Sequence, residues 1–269
     1  MSKPQIATKQ TNQQSRKSLI VTADDFGLNS QVNEAVEKLH RAGFLTQASL
    51  MVNESGVDEA VRIAKRNPGL TVGLHLSLCA GRASRPSRLT DAAGMMPESP
   101  ALAGIRYAFD SRLDADLERE IAAQFSRFRE LGFAPTYWDG HTHLHLHPKV
   151  LRLTLPYAQQ FGVVRLVQED RSGLLPWIFR RLSNSAKRKL GGIRYTDAIF
   201  GLEYTGQMTT ERILSLLDAI RAPWSELYLH PGAEPGELDV PRILHRLETL
   251  QIDLANSCDL AQTPQHAES

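Results

Sequence analysis

The sequence predicts an α/β fold in which one domain of seven or eight βα units closes, or nearly closes, into a barrel of parallel strands. Three observations carry this. Short apolar runs rich in β-branched residues alternate with stretches of helical spacing along almost the whole chain. No linker or internal repeat divides the series. A length of 269 residues suits one such barrel.

Ser18 to Ala23 is an apolar run suited to a buried parallel strand, and it stops at Asp24, Asp25, Phe26 and Gly27. Asn29 or Ser30 can cap the next helix, where Val32, Ala35, Val36 and Leu39 keep helical spacing until Gly43. A second strand is expected from Ala48 to Val52, a helix from Val57 to Arg66, and a third strand from Leu70 to Leu76 carrying His75 near its end. From Ser77 to about Leu113 the period lapses and Gly and Pro punctuate the chain. The expectation is a long loop, either a lid or substrate wall or a disordered insertion.

Leu117, Ile121, Phe125 and Phe128 mark an amphipathic helix ending near Gly132. Thr136 to Asp139 is the next strand, Pro148 opens a helix to about Phe161, and Val163 to Val167 is a strand containing Arg165. Ser172 to Leu190 mixes Leu174, Leu175, Trp177, Ile178 and Phe179 with Arg180, Arg181, Lys187, Arg188 and Lys189. Two readings stay open for it: a barrel helix with a solvated face, or a basic amphipathic helix at a membrane surface. A weak strand from Tyr195 to Ile199, a helix from Thr210 to Ile220, a strand from Glu226 to Leu229, a helix from Pro241 to Leu250 and a strand from Ile252 to Ala255 complete the series. The barrel domain is placed at residues 18–260, with residues 1–17 as a disordered polar extension and 261–269 as a tail.

Charge nearly cancels, 31 basic residues against 30 acidic, which argues against a nucleic-acid partner. Two cysteines, Cys79 and Cys258, are too few for a disulfide framework and point to a reducing, cytoplasmic setting. Cys79 has no visible base beside it and reads as a packing residue. No stretch reads as a signal peptide or a membrane span, so membrane contact, if made, is peripheral.

Ligand-type residues gather at four strand ends: Asp24 with Asp25, His75, the run from Asp139 to His147, and His230. In a βα barrel these ends share one face. Within the run, His141, His143, His145 and His147 fall on every second residue, and an extended backbone would send them to the same side. One Asp and two His supply three ligands to a divalent cation and leave a position open for water. The spare carboxylate, Asp24 or Asp25, can take a proton, and His230 can return one to a leaving group. That division of labour describes hydrolysis of an amide or ester.

Thr22-Ala23-Asp24-Asp25-Phe26-Gly27, Gly73-Leu74-His75-Leu76, Asp139-Gly140-His141-Thr142-His143-Leu144-His145 and Leu229-His230-Pro231, in this order, resemble the YdjC/ChbG carbohydrate deacetylases, relatives of the NodB-type polysaccharide deacetylases. The resemblance spans Ser18 to about Leu260. It implies a distorted (β/α) barrel that removes the acetyl group from N-acetylglucosamine units with one divalent metal ion. Carried over by position, it implies Asp25, His75 and His141 as metal ligands, Asp24 as general base and His230 as general acid. By analogy with the wider group, Arg165 holds the base carboxylate, although related sequences read Arg-Leu-Pro there and this one Arg-Leu-Val. With three ligands assigned, His143 and His145 are left as candidates for contact with substrate or for orienting a ligand, and the remaining histidines of the run read as structural. The donor set favours zinc, with magnesium, cobalt, nickel and manganese as alternatives.

His145 to Pro148 and Thr46 to Val52 are similar to the hopanoid-associated HpnK branch, whose implied substrate is an N-acetylglucosaminyl hopanoid lipid. Two other classes stay open. Metal-dependent phosphoesterases and amidohydrolases also use His-x-His pairs in barrels, but typically on the first strand. A sugar-binding barrel without chemistry is expected to lack Asp24 or His230, and both are present.

Overall fold

β1 (Lys17–Phe26) is the strand on which the sheet is built. It is buried from Leu19 through Asp24, which explains its near-continuous apolar text. One edge pairs along Ser18 to Ala23 with β7 (Trp224–Leu229). The other edge is shared: β8 (Ile252–Ala255) takes Lys17 to Ile20, and β2 (Gln47–Leu50) takes Thr22 to Phe26. Beyond β2 come β3 (Thr71–Leu76), β4 (Tyr137–Gly140) and β5 (Val163–Val164); beyond β7 comes β6 (Ala198–Phe200). Every strand pair is parallel.

In this computed structural model, which describes residues 16–168 and 173–263, the eight strands curl into a distorted barrel. Arg194 bridges Val163 of β5 in parallel, and β6, begun a few residues later, pairs with β7. One short segment therefore links the two ends of the sheet. The helices α1 (Ser30–Arg41), α2 (Val57–Arg66), α4 (Asp114–Glu130), α5 (Pro148–Ala158), α6 (Leu174–Lys187), α7 (Thr210–Ala219) and α8 (Val240–Thr249) follow the alternation expected from the sequence. Asn29, Thr209 and Asp239 cap α1, α7 and α8 by accepting from backbone N–H groups. A last helix, α9 (Ser257–Gln262), extends the domain past residue 260. The expected extension and tail lie largely outside the described residues, although Lys17 already belongs to β1.

Two expectations need correction. The segment from Ser77 to Leu113 is not one long loop, for it contains α3 (Pro100–Phe109), capped by Ser99 accepting from the Leu102 N–H. Its apolar residues surround the helix, with Ala103 and Tyr107 buried and Leu102, Ile105 and Phe109 exposed, so no amphipathic stripe announces it. The rest is anchored as well: Arg82 bridges Met95, and buried Glu120 accepts from the Ser84 N–H and hydroxyl at 3.0 Å each. The strand expected over Val163 to Val167 shrinks to two residues, and Arg165 just beyond it is buried among Asp24, Asp139 and Glu226.

Gly73 sits in β3 where a Cβ would lie 2.5 Å from the buried ring of Tyr137. Gly73→Ala is expected to lower stability by about 1–3 kcal/mol, as overpacking of a close-packed core does. A shift of the urea midpoint with unchanged slope checks it.

Candidate active site

Adjacent side chains on a regular strand point to opposite faces, yet Asp24 and Asp25 both line one pocket of about 630 Å³ at the C-terminal ends of the strands. The β1–β2 register shifts between Ala23 and Phe26, and Asp25 adopts a φ of 62°. This bulge swings Asp25 to the side already occupied by Asp24. Asp is one of the few side chains that tolerate that conformation.

Asp25 Oδ1 lies 3.3 Å from His75 Nε2 and 2.9 Å from His141 Nδ1, and the two nitrogens are 3.3 Å apart. Metal–ligand bonds of about 2.1 Å in tetrahedral geometry put donors roughly 3.4 Å apart, so the triangle fits a divalent cation. Burial would raise the Asp25 pKa, but hydrogen bonds from His141 and His75 outweigh it and hold the carboxyl well below its usual value. Burial would lower that of His75, yet the charges of Asp139 and Asp24 and the bonds to Asp139 and Asp25 push it up to about 10. The cluster calls for positive charge, and a bound cation would meet that demand while leaving His75 neutral.

Asp139 orients His75 within this cluster. Its Oδ1 accepts from His75 Nδ1 at 2.6 Å, which turns His75 Nε2 toward Asp25. Its Oδ2 accepts from the Ser49 hydroxyl at 2.7 Å and forms an ion pair with Arg165 Nη1 at 2.9 Å. The same Nη1 donates to Asp24 Oδ2 at 2.8 Å, while Arg165 Nε donates to Glu226 Oε1 at 2.9 Å. Glu226 also accepts from Thr22 at 2.6 Å; Gln47 donates to Thr22 at 2.9 Å and accepts from the Ser257 hydroxyl at 2.7 Å. Asp24 Oδ1 is buried with no hydrogen-bond partner.

The four histidines do not converge as an extended backbone would have them. The chain leaves β4 at Gly140 and coils over His141–Leu146 into a tight helical segment, broken where Thr142 and His143 take left-handed φ values of 52° and 61°. Only His141 reaches the Asp25 cluster. His143 lines the pocket with Nε2 3.3 Å from the Tyr228 hydroxyl, and burial, with the charges of His145 and Arg165, holds its pKa well below the usual imidazole value. His145 does not line the pocket: its Nε2 donates to the Arg165 carbonyl at 2.9 Å, and its ring packs on Gly140, where a Cβ would lie 2.7 Å from Nδ1. His147 borders the pocket just before α5.

His230, directly after β7, enters the pocket from the side opposite β3 in the strand order, with Nδ1 unpartnered. Cys79 is buried, 2.9 Å from the Thr142 hydroxyl, and burial raises its thiol pKa. The farther walls are apolar: Leu144, Leu175, Phe179, Leu182 and Leu202. Sequence reasoning missed Asp139 as a ligand-orienting group, Glu226 as a partner of Arg165, and Tyr228 in the wall. A signal existed for the first: Asp139 and His75 both fall at the ends of expected strands, and the register pairs them directly.

Burial first, with the charges of Arg165 and His75, lowers the His145 pKa from 6.5 to about 4, against the opposing pull of the Arg165 carbonyl. Between these values the unfolded chain binds a proton that the folded chain refuses, so stability rises with pH across about 4 to 6.5 and is lost on acidification. His75 is shifted the other way and acts only above pH 6.5. In chelator-treated protein, urea midpoints measured over that window should rise with pH, and His145→Gln should flatten the slope.

The family of YdjC-like proteins matches residues 18–263. A carbohydrate deacetylase of Mus musculus is 34% identical over 244 residues, covering 81% of this chain and 78% of the relative. A carbohydrate deacetylase of Brevibacillus brevis is 34% identical over 219 residues, with 80% and 81% covered. A chitooligosaccharide deacetylase of Proteus mirabilis is 34% identical over 225 residues, covering 83% of each chain. Among solved structures, one from Enterococcus faecalis V583, described as a candidate cellobiose-phosphate cleavage protein, shares the fold with a TM-score of 0.71 at 22% identity, over 92% of this chain and 100% of its own. The family match takes in every strand end that carries a site residue, from Asp24 to His230, and the chain belongs to the YdjC-like family.

Proposed function

We propose that this protein is a divalent-cation-dependent N-deacetylase, hydrolysing the acetamide of an N-acetylglucosamine unit to the free amine and acetate. The observation that carries the reading is the split between two adjacent carboxylates. Asp25 belongs to a His-His-Asp donor set, whereas Asp24 is held by Arg165 with one oxygen unpartnered beside it. The relatives named as carbohydrate deacetylases support the same reaction class.

Asp25, His75 and His141 would hold the cation, with zinc favoured by two imidazoles and one carboxylate. Such an ion supplies Lewis acidity to the acetyl carbonyl and makes a nearby water more acidic. Asp24 takes the proton of the attacking water through its unpartnered Oδ1, and Arg165 fixes the carboxylate from behind. As the C–N bond breaks, His230 gives its proton to the departing amine. His143 and the Tyr228 hydroxyl offer polar contacts to the sugar. His145, reassigned from substrate contact, positions Arg165 through its carbonyl.

The acceptor we favour is lipid-linked, an N-acetylglucosaminyl hopanoid, handled in the cytoplasm at the inner membrane face. The apolar walls beyond the polar floor support it. Among the described residues no helix is long and apolar enough to cross a membrane.

Acetate release from chitobiose, free N-acetylglucosamine and an N-acetylglucosaminyl lipid should depend on added cation after chelation, with the lipid turned over best. Asp24→Asn should cost about 10²–10⁴ in kcat while cation binding persists. His75→Ala should abolish cation binding measured by calorimetry, and Asp139→Asn should weaken it about 10- to 100-fold. Normal turnover by Asp24→Asn would remove the base from the scheme.

A further inference from the structure

Among the described residues, every large apolar side chain left exposed stands on one of two helices. On α3 these are Leu102, Ile105 and Phe109, which is 87% exposed; spaced by three and four, they form one stripe. On the first turns of α6 they are Leu174, Leu175, Trp177 and Ile178. Isolated exposed apolar residues are ordinary on any protein, but a set confined to two helices is not. Both helices also wall the pocket, α3 through Pro100 and Ala101 and α6 through Leu175, Phe179 and Leu182. The two stripes therefore flank its mouth.

Charge identifies the partner. From Gly173 to Thr196 the chain carries six basic residues and no acidic one, in a protein whose net charge is +1. The Arg181 guanidinium lies 5.1 Å from the centre of the Trp177 ring, joining cation and apolar face. A two-fold contact with a second copy would set the same positive segment against itself. Anionic headgroups complement it, and a helix with exposed apolar first turns followed by Lys and Arg suits the plane of a bilayer surface.

We propose that α3 and α6 dock this protein on an anionic lipid bilayer, seating the pocket mouth against the headgroups so that a lipid-borne sugar enters without leaving the membrane. The purpose of the docking rests on the lipid-linked reading of the acceptor, but the docking itself is measurable without turnover.

The full chain is sedimented with vesicles of phosphatidylcholine alone and of phosphatidylcholine mixed with phosphatidylglycerol, at low and high salt. Binding is expected on the mixed vesicles and should weaken with salt. Brominated acyl chains should quench the fluorescence lost in Trp177→Ser, placing that side chain in the acyl boundary. The pairs Ile105→Ser with Phe109→Ser, and Leu174→Ser with Trp177→Ser, should each weaken vesicle binding on the order of tenfold or more. Both should release acetate from soluble chitobiose at the parent rate, and all four positions are exposed. Failure to bind any vesicle, or a dimer in analytical ultracentrifugation that these substitutions dissolve, would overturn the docking and leave the hydrolytic reading intact. Vesicle binding without acetate release from any substrate would do the reverse.

Discussion

The site depends on the burial of Arg165. Four carboxylates, those of Asp24, Asp25, Asp139 and Glu226, crowd the top of the barrel, and this guanidinium touches three of them. Its planar fork serves Asp24 and Asp139 from one nitrogen and Glu226 from another, a geometry that a lysine could not reproduce. Buried ion pairs of this kind are weak sources of net stability, because desolvation consumes most of the Coulombic gain. What they secure is position: Asp24 lines the pocket with one oxygen held by Arg165 and the other unpartnered.

Much of the backbone is subordinate to that requirement. β5 stops after two residues, and the following arginine is buried. The bulge in β1 brings consecutive aspartates to one side and gives them different neighbours, imidazoles for Asp25 and the guanidinium for Asp24. Gly140 leaves room for the His145 ring, which in turn grips the Arg165 carbonyl. Histidines that looked alike in the sequence thus divide into a partner of Asp25, a pocket wall and a prop.

The barrel and the positions of Asp24, Asp25, His75, His141 and His230 were legible because strand ends in parallel sheets are abrupt: an apolar run meets a polar residue within one step. The histidine run misled for a physical reason. Alternation signals a strand only if the backbone stays extended, and nothing in Thr142 or His143 marks their left-handed conformation, which asparagine or glycine would have suggested. The role of Glu226 was hidden in mid-strand, since its meaning comes from a partner on a different strand. α3 escaped notice because its apolar residues face both inward and outward, and that same feature makes it unusual as a surface.

The shared edge of β1 has a consequence for the order of assembly. Ser257, just beyond β8, holds Gln47, which supports Thr22 and through it Glu226 and Arg165. During synthesis the aspartates emerge from the ribosome more than two hundred residues ahead of that serine. Over that whole interval the two aspartates of the first strand stand without the serine that clasps their support.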